Sequence, residues 1–98
     1  MDSTFGLEIY ASNKLFYAGR ARSLVIPVED GQKAFLAHHV NTISAIVPGE
    51  MRYEDTEGNW TTVAVSSGFM EMINNRVKLF CLTVERPEEI DVKRAQEA

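Results

Sequence analysis

A single cysteine, Cys81, stands among 98 residues, so there is no second thiol for it to pair with. The framework rests on no intrachain disulfide, and a reducing compartment is the default setting. No stretch is apolar over the ~20 residues that a membrane-crossing helix needs. The opening Met1-Asp2-Ser3-Thr4 carries an acid where a secretory leader would carry bases, so no signal segment is expected. Positive charge is also scarce: ten Lys and Arg face fourteen Asp and Glu, a net charge of -4, which removes any electrostatic drive toward nucleic acid or anionic lipid. Six glycines and three prolines are too few for a collagenous or low-complexity chain. What is present, 45% hydrophobic and 24% charged residues, is the balance of a globular domain. A chain of this size buries about 65% of its unfolded surface, enough for one core without metal or disulfide staples.

Turn signals recur at short intervals: Ser12-Asn13, Gly19, Asp30-Gly31, Pro48-Gly49, the run from Asp55 to Asn59, Ser67-Gly68 and Asn74-Asn75. The gaps between them suit strands. Phe5, Leu7 and Ile9 alternate with Gly6, Glu8 and Tyr10, the pattern of a half-buried strand, while Val77, Leu79 and Cys81 alternate with Lys78, Phe80 and Leu82 and read as a strand buried on both faces. Arg20–Val28, Thr42–Val47, Met51–Glu54, Trp60–Val65 and Phe69–Ile73 are rich in β-branched, aromatic or Met residues. About nine or ten short strands follow, the spacing of an all-β sandwich or barrel. After Pro87 the composition shifts to helix formers without Gly, and Asp91 can cap a helix from Val92 onward.

Candidate chemistry is sparse. His38-His39 is the one imidazole pair, and neighbours on a strand face opposite sides, so a surface loop is expected there rather than a metal site. Cys81 sits among Leu79, Phe80 and Leu82, surroundings that raise a thiol pKa and make a structural cysteine. Glu54, Asp55 and Glu57 share a turn with Gly58 and Asn59, where carboxylates stay solvated and ionised rather than serving as general acids. No phosphate-binding loop, nucleophile elbow or dinucleotide fingerprint occurs. The expectation is no catalytic residue, no metal and no cofactor.

Three segments carry more than this. Pro48-Gly49-Glu50-Met51-Arg52-Tyr53, Ala64-Val65-Ser66-Ser67-Gly68-Phe69-Met70-Glu71-Met72 and Glu85-Arg86-Pro87-Glu88-Glu89-Ile90-Asp91-Val92-Lys93-Arg94-Ala95, in that order, resemble the epsilon-subunit family of F-type ATP synthases. Upstream, Leu7-Glu8-Ile9, Leu15-Phe16-Tyr17-Ala18-Gly19 and Asp30-Gly31 fall where the family pattern has them. The sequence departs from that pattern between Gly31 and Asn41, where the usual Gly-Glu-Phe-Gly-type segment running into Pro-Gly-His-Ala-Pro has become Gly31-Gln32-Lys33-Ala34-Phe35-Leu36-Ala37-His38-His39-Val40-Asn41, with His39 at the family histidine. Ser67 also replaces the first Gly of the usual Ser-Gly-Gly.

The resemblance implies a mainly β chain: a sandwich of two antiparallel sheets over residues 1–86, with residues 87–98 as the start of a C-terminal helical segment. It implies a non-catalytic rotor component that couples the gamma subunit to the ring of c subunits, peripheral to the cytoplasmic face of a bacterial inner membrane. The loop with Gln32, Lys33, His38 and His39 is then the expected ring contact. Some family members bind ATP around the Ile-Asp-x-x-Arg-Ala segment, which Glu85, Asp91, Arg94 and Ala95 match, so the alternative function is an ATP-sensing module acting through a helical hairpin. Asp91 as a cap and Arg94 as a solvated helix residue account for the same letters without nucleotide.

Overall fold

The structure is a computed structural model that describes residues 3–86, and the helix expected from Asp91 lies outside them. Nine strands occupy this span: β1 (Phe5–Ala11), β2 (Lys14–Val28), β3 (Gly31–Leu36), β4 (Thr42–Ile46), β5 (Gly49–Asp55), β6 (Trp60–Val65), β7 (Gly68–Ile73), β8 (Arg76–Cys81) and β9 (Val84–Glu85). They are hydrogen-bonded in the order β4-β7-β8-β1-β2-β5-β6-β9, with β3 also pairing β2. The first half of β2 pairs β1, and its second half pairs β3 and β5. A register shift between Ala21 and Ser23 marks the transition. Ala21 and Leu24 are both fully buried although three positions separate them, because the extra residue resets the alternation where the strand bends from one layer to the other.

The core is built by alternation. Phe5, Leu7 and Ile9 of β1, Met70 and Met72 of β7, and Val77, Leu79 and Cys81 of β8 face Leu24, Ile26, Phe35, Met51, Tyr53, Val63 and Val65 of the second layer. Each of these large side chains stabilises the fold by roughly 1.5–3 kcal/mol through the apolar surface it removes from water. Trp60 lies at the rim beside its turn and is 50% exposed, with the Arg52 guanidinium 5.6 Å from its ring centre.

Four expectations are corrected. The sheets are not wholly antiparallel, since β1 runs parallel to β8 from Gly6↔Arg76 to Ala11↔Cys81. Gly19 is no turn but an interior position of β2, paired with Leu7. The segment read as a loop from Gln32 to His39 is largely β3, an exposed strand whose only buried side chain is Phe35. The strand buried on both faces is not β8, where Arg76 and Lys78 are exposed, but the stretch Leu24–Pro27 of β2, which is flanked by β3 and β5.

The turns follow residue chemistry. Ser12-Asn13 and Asn74-Asn75 close two-residue hairpins, all four with positive φ, as the right-handed twist of the flanking strands requires. Asn75 also ties three segments together: its side chain accepts from the His38 amide at 2.7 Å and donates to the Thr4 carbonyl at 2.9 Å, while its own carbonyl accepts from Gly6 N–H at 3.2 Å.

Gly68 is fixed by space. A Cβ there would lie 2.0 Å from the Phe80 carbonyl oxygen and 2.8 Å from Cys81 Cα, backbone atoms that cannot swing aside. Gly68 is the glycine of the Ser-Gly-Gly pattern that this sequence keeps. Gly68→Ala should destabilise the fold by about 3 kcal/mol, at the upper end of overpacking costs, measured as a fall in the urea midpoint with an unchanged denaturant slope.

Candidate docking surface

Phe69, Phe80 and Tyr10 occupy directly paired positions on three neighbouring strands, Phe69↔Phe80 across β7 and β8 and Tyr10↔Phe80 across β1 and β8. Paired residues share a face, so all three rings stand on the outside of the sheet. Phe80 is the middle ring, with centroids 5.2 Å from Tyr10 at an interplanar angle of 8° and 5.0 Å from Phe69 at 27°. Phe69 is 48% exposed and Leu82, just beyond β8, is 65% exposed. With Ser12, Asn13 and Ser67 these residues line an open groove of about 610 Å³.

Backbone bonds hold the groove's rim. Ser12 N–H donates to Cys81 O at 3.0 Å, its hydroxyl donates to Leu82 O at 2.6 Å, and Leu82 N–H donates to Ser67 O at 3.3 Å. A second link joins Thr83 N–H to Ser66 Oγ at 2.7 Å. These bonds fix the turn between β6 and β7 against the end of β8, so the aromatic face is presented by a braced frame rather than by loops. The Tyr10 hydroxyl donates to Glu8 Oε1 at 3.2 Å, and partial burial together with that carboxylate pushes its pKa up.

An exposed apolar row on a sheet is costly unless something covers it. The letters alone conceal this surface, because Leu79-Phe80-Cys81-Leu82 has no polar residue to break its run and so reads as burial on two sides. The available signal was the alternation: with Leu79 and Cys81 inward, Phe80 and Leu82 must face out.

The four residues expected to contact the ring do not form one loop. Gln32 and Lys33 lie near the start of β3, paired with Pro27 and Ile26, and Lys33 Nζ sits 5.4 Å from the Phe35 ring centre. His38 and His39 lie beyond the other end of the strand. His38 adopts φ 63° with its ring exposed, whereas His39 packs edge-on to Phe35 at 5.1 Å and its Nδ1 lies 3.0 Å from Val40 O. Of the residues matched to ATP binding, Glu85 is half-buried in β9 opposite Ala64. Asp91, Arg94 and Ala95 lie outside the described residues. Arg86 stacks over Phe16 at 5.0 Å.

The groups weighed for catalysis occupy ordinary structural roles. Burial pushes the Cys81 thiol up to about 11, so it is a protonated core residue at neutral pH. The Asp55 carboxylate accepts from the Glu57 amide at 2.8 Å and the Asn59 amide at 3.0 Å, and the Asn59 bond leads in holding its pKa below the ordinary value.

The described residues are thus a small β-sandwich with a braced aromatic face. Residues 4–87 match the family model described as "ATP synthase, Delta/Epsilon chain, beta-sandwich domain". The chain belongs to the ATP synthase delta/epsilon chain family. It is 34% identical over 96 residues to the ATP synthase epsilon chain of Ruminiclostridium cellulolyticum, covering 98% of this chain and 71% of that one. With the epsilon chain of Desulforudis audaxviator it shares 36% over 97 residues, covering 99% and 70%. Among solved structures, a chain of the Euglena gracilis mitochondrial ATP synthase, an assembly of OSCP, F1 and c-ring, superposes with a TM-score of 0.88 at 19% identity, covering 99% of this chain and 62% of that chain. A chain of the Tetrahymena thermophila mitochondrial ATP synthase central stalk and c-ring superposes at 0.72 with 8% identity, covering 87% and 68%. These two likenesses show the fold.

Asp55 sets one pH dependence. Its folded pKa lies below the ordinary 3.8, so its contribution to stability is fully present above that value and is lost as pH falls through the lower folded value. Urea midpoints followed from neutrality to about pH 2.5 should fall on the acid side, and Asp55→Asn should lower the neutral midpoint while flattening that acid limb.

Proposed function

We propose that the chain is a non-catalytic central-stalk subunit of a proton-translocating F-type ATP synthase, joining the gamma subunit to the ring of c subunits. Its work is mechanical: it transmits torque as a rigid body and holds its neighbours in register. Family membership supports this reading, and the single structural observation behind it is the Tyr10–Phe80–Phe69 ladder, an apolar row on a sheet face that a rotor joint would keep covered. Gamma docks there. A joint that must not slip needs at least a standard interface, roughly 1,600 Å² in total, and the three rings with Leu82 supply its apolar centre.

The ring is met by residues 32–39, through the exposed edge of β3 and the turn that follows it. The synthase holds the subunit peripherally at the cytoplasmic face of a bacterial inner membrane. Residues 3–86 form the docking body, and the helical segment expected over residues 87–98 lies outside the described residues. The alternative, ATP sensing through Glu85, Asp91, Arg94 and Ala95, is weaker on chemical grounds. The several negative charges of a triphosphate need several converging cations, and Arg86, a nearby base, lies over Phe16.

Phe69→Ala with Phe80→Ala should weaken binding to purified gamma by more than about 30-fold, the loss typical of central aromatic anchors, in isothermal titration with the melting temperature recorded alongside. Gamma binding that survives the pair intact would move the joint elsewhere. His38→Ala with His39→Ala should reduce co-purification with c-ring while the sandwich stays folded, and Lys33→Glu tests the other end of β3 in the same assay. ATP titrated onto these 98 residues should bind with a Kd weaker than about 1 mM, equivalent to less than roughly 4 kcal/mol; micromolar binding would favour the sensing alternative.

A further inference from the structure

The outer face that carries the aromatic ladder changes character along its strands. One pairing row further on stand Glu71, Lys78 and Glu8, register partners across β7, β8 and β1. Beyond them come Ile73, Arg76, Gly6 and Arg20, register partners from β7 to β2. Gly6 leaves a gap between two arginines. A Cβ at Gly6 would meet Arg20 Nη1 at 3.6 Å on one side and Arg76 Cγ at 3.7 Å on the other. Gly6 and Gly19 line the open groove of about 470 Å³ at this gap, with Arg20, Arg76, Lys78 and Glu8 among its walls.

The cations are arranged, not merely near. Arg20 is held by Thr4, donating from Nε to Oγ1 at 3.2 Å and from Nη2 to the carbonyl and Oγ1 at 3.0 Å each. That grip orients the guanidinium plane and lays Nη1 over Gly6. Glu8, an acid in the wall of this groove, accepts the Tyr10 hydroxyl and so is engaged toward the aromatic end. Among the described residues of these two rows, Arg76, Lys78 and the Thr4-held Arg20 stand with two acids, Glu8 and Glu71, in a chain whose net charge is -4.

We infer that the partner docked on the aromatic ladder inserts a carboxylate side chain, Asp or Glu, into the gap over Gly6 between Arg20 and Arg76. This rests on the docking of gamma proposed above and specifies its chemistry. Guanidinium groups present paired N–H donors that match a carboxylate, which makes such contacts geometrically selective. A free phosphate would favour converging backbone amides, and here the Gly6 amide is already donated to the Asn75 carbonyl at 3.2 Å. Tyr10 and Gly6 are four residues apart on β1, about 13 Å at the usual strand rise. The partner element therefore carries its apolar contact and its acid about 13 Å apart, about two and a half turns if it is a helix lying along the strands.

The test uses the full chain and the purified gamma subunit, titrated at low and at moderate salt. Arg76→Gln with Lys78→Gln should weaken gamma binding about tenfold at low salt and flatten its salt dependence. Gly6→Leu, which fills the gap and removes no charge, should give a comparable loss, and both variants should melt as the unsubstituted chain does. Normal gamma binding by both variants at every salt concentration, with binding lost in Phe69→Ala/Phe80→Ala, overturns the carboxylate site and leaves the aromatic joint standing. No binding of gamma by the unsubstituted chain overturns both. Sub-millimolar binding of inorganic phosphate to the isolated chain, abolished by Arg76→Gln/Lys78→Gln, would make the gap a free-anion site and overturn its assignment to a partner side chain.

Discussion

Everything in this fold depends on one strand serving two layers. The first half of β2 completes the layer containing β1, and the second half is flanked by β3 and β5 in the other. The two layers are thus one continuous hydrogen-bonded path, and they cannot slide apart without breaking a strand that belongs to both. Where β2 turns the corner, Ala21 is buried to 0% exposure; a small side chain lets the chain bend tightly without opening a gap, and the extra residue there re-aims Leu24 and Ile26 into the core. A part that carries torque gains from this construction, because shear between layers is resisted by backbone bonds as well as by side-chain packing.

The outer face then divides by chemistry along the direction of its strands. Aromatic rings gather at the end braced by Ser12, Ser66, Ser67 and Thr83, and arginines gather at the end tied together by Thr4 and Asn75. The same two sets of polar bonds that close the ends of the domain therefore hold the two halves of the docking face in place. In the proposed joint, apolar contact supplies adhesion at one end while charge at the other sets orientation.

Much of the domain could be read from its letters. Alternation in Phe5-Leu7-Ile9 and in Val77-Leu79-Cys81 identified core residues directly, since the period of two is a property of extended backbone. Turn pairs such as Asn74-Asn75 identified themselves because few residues tolerate positive φ. What escaped was non-local. Gly31–Leu36 lacks a buried stripe because only Phe35 turns inward, so its strand character comes from hydrogen bonds to β2 and not from its own pattern. The direction of the β1–β8 pairing leaves no local mark on either segment. The docking face escaped for a related reason: Tyr10, Phe69 and Phe80 are far apart in sequence, and only the register of three strands brings their rings together.

That parallel pairing carries a consequence for how the chain comes into being. β1 is at the amino-terminal end of the described chain, yet one of its two neighbours, β8, ends at Cys81. A chain emerging in order from the ribosome can close the β1–β2 hairpin early, but the other flank of β1 stays open until nearly all the domain has been synthesised. During that interval the sticky flank is a template for any passing extended segment. Folding of such long-range topology is also intrinsically slow, since loop closure is spent before the distant strands meet. The rate at which a cell assembles this subunit is therefore bounded by the arrival of its penultimate described strand.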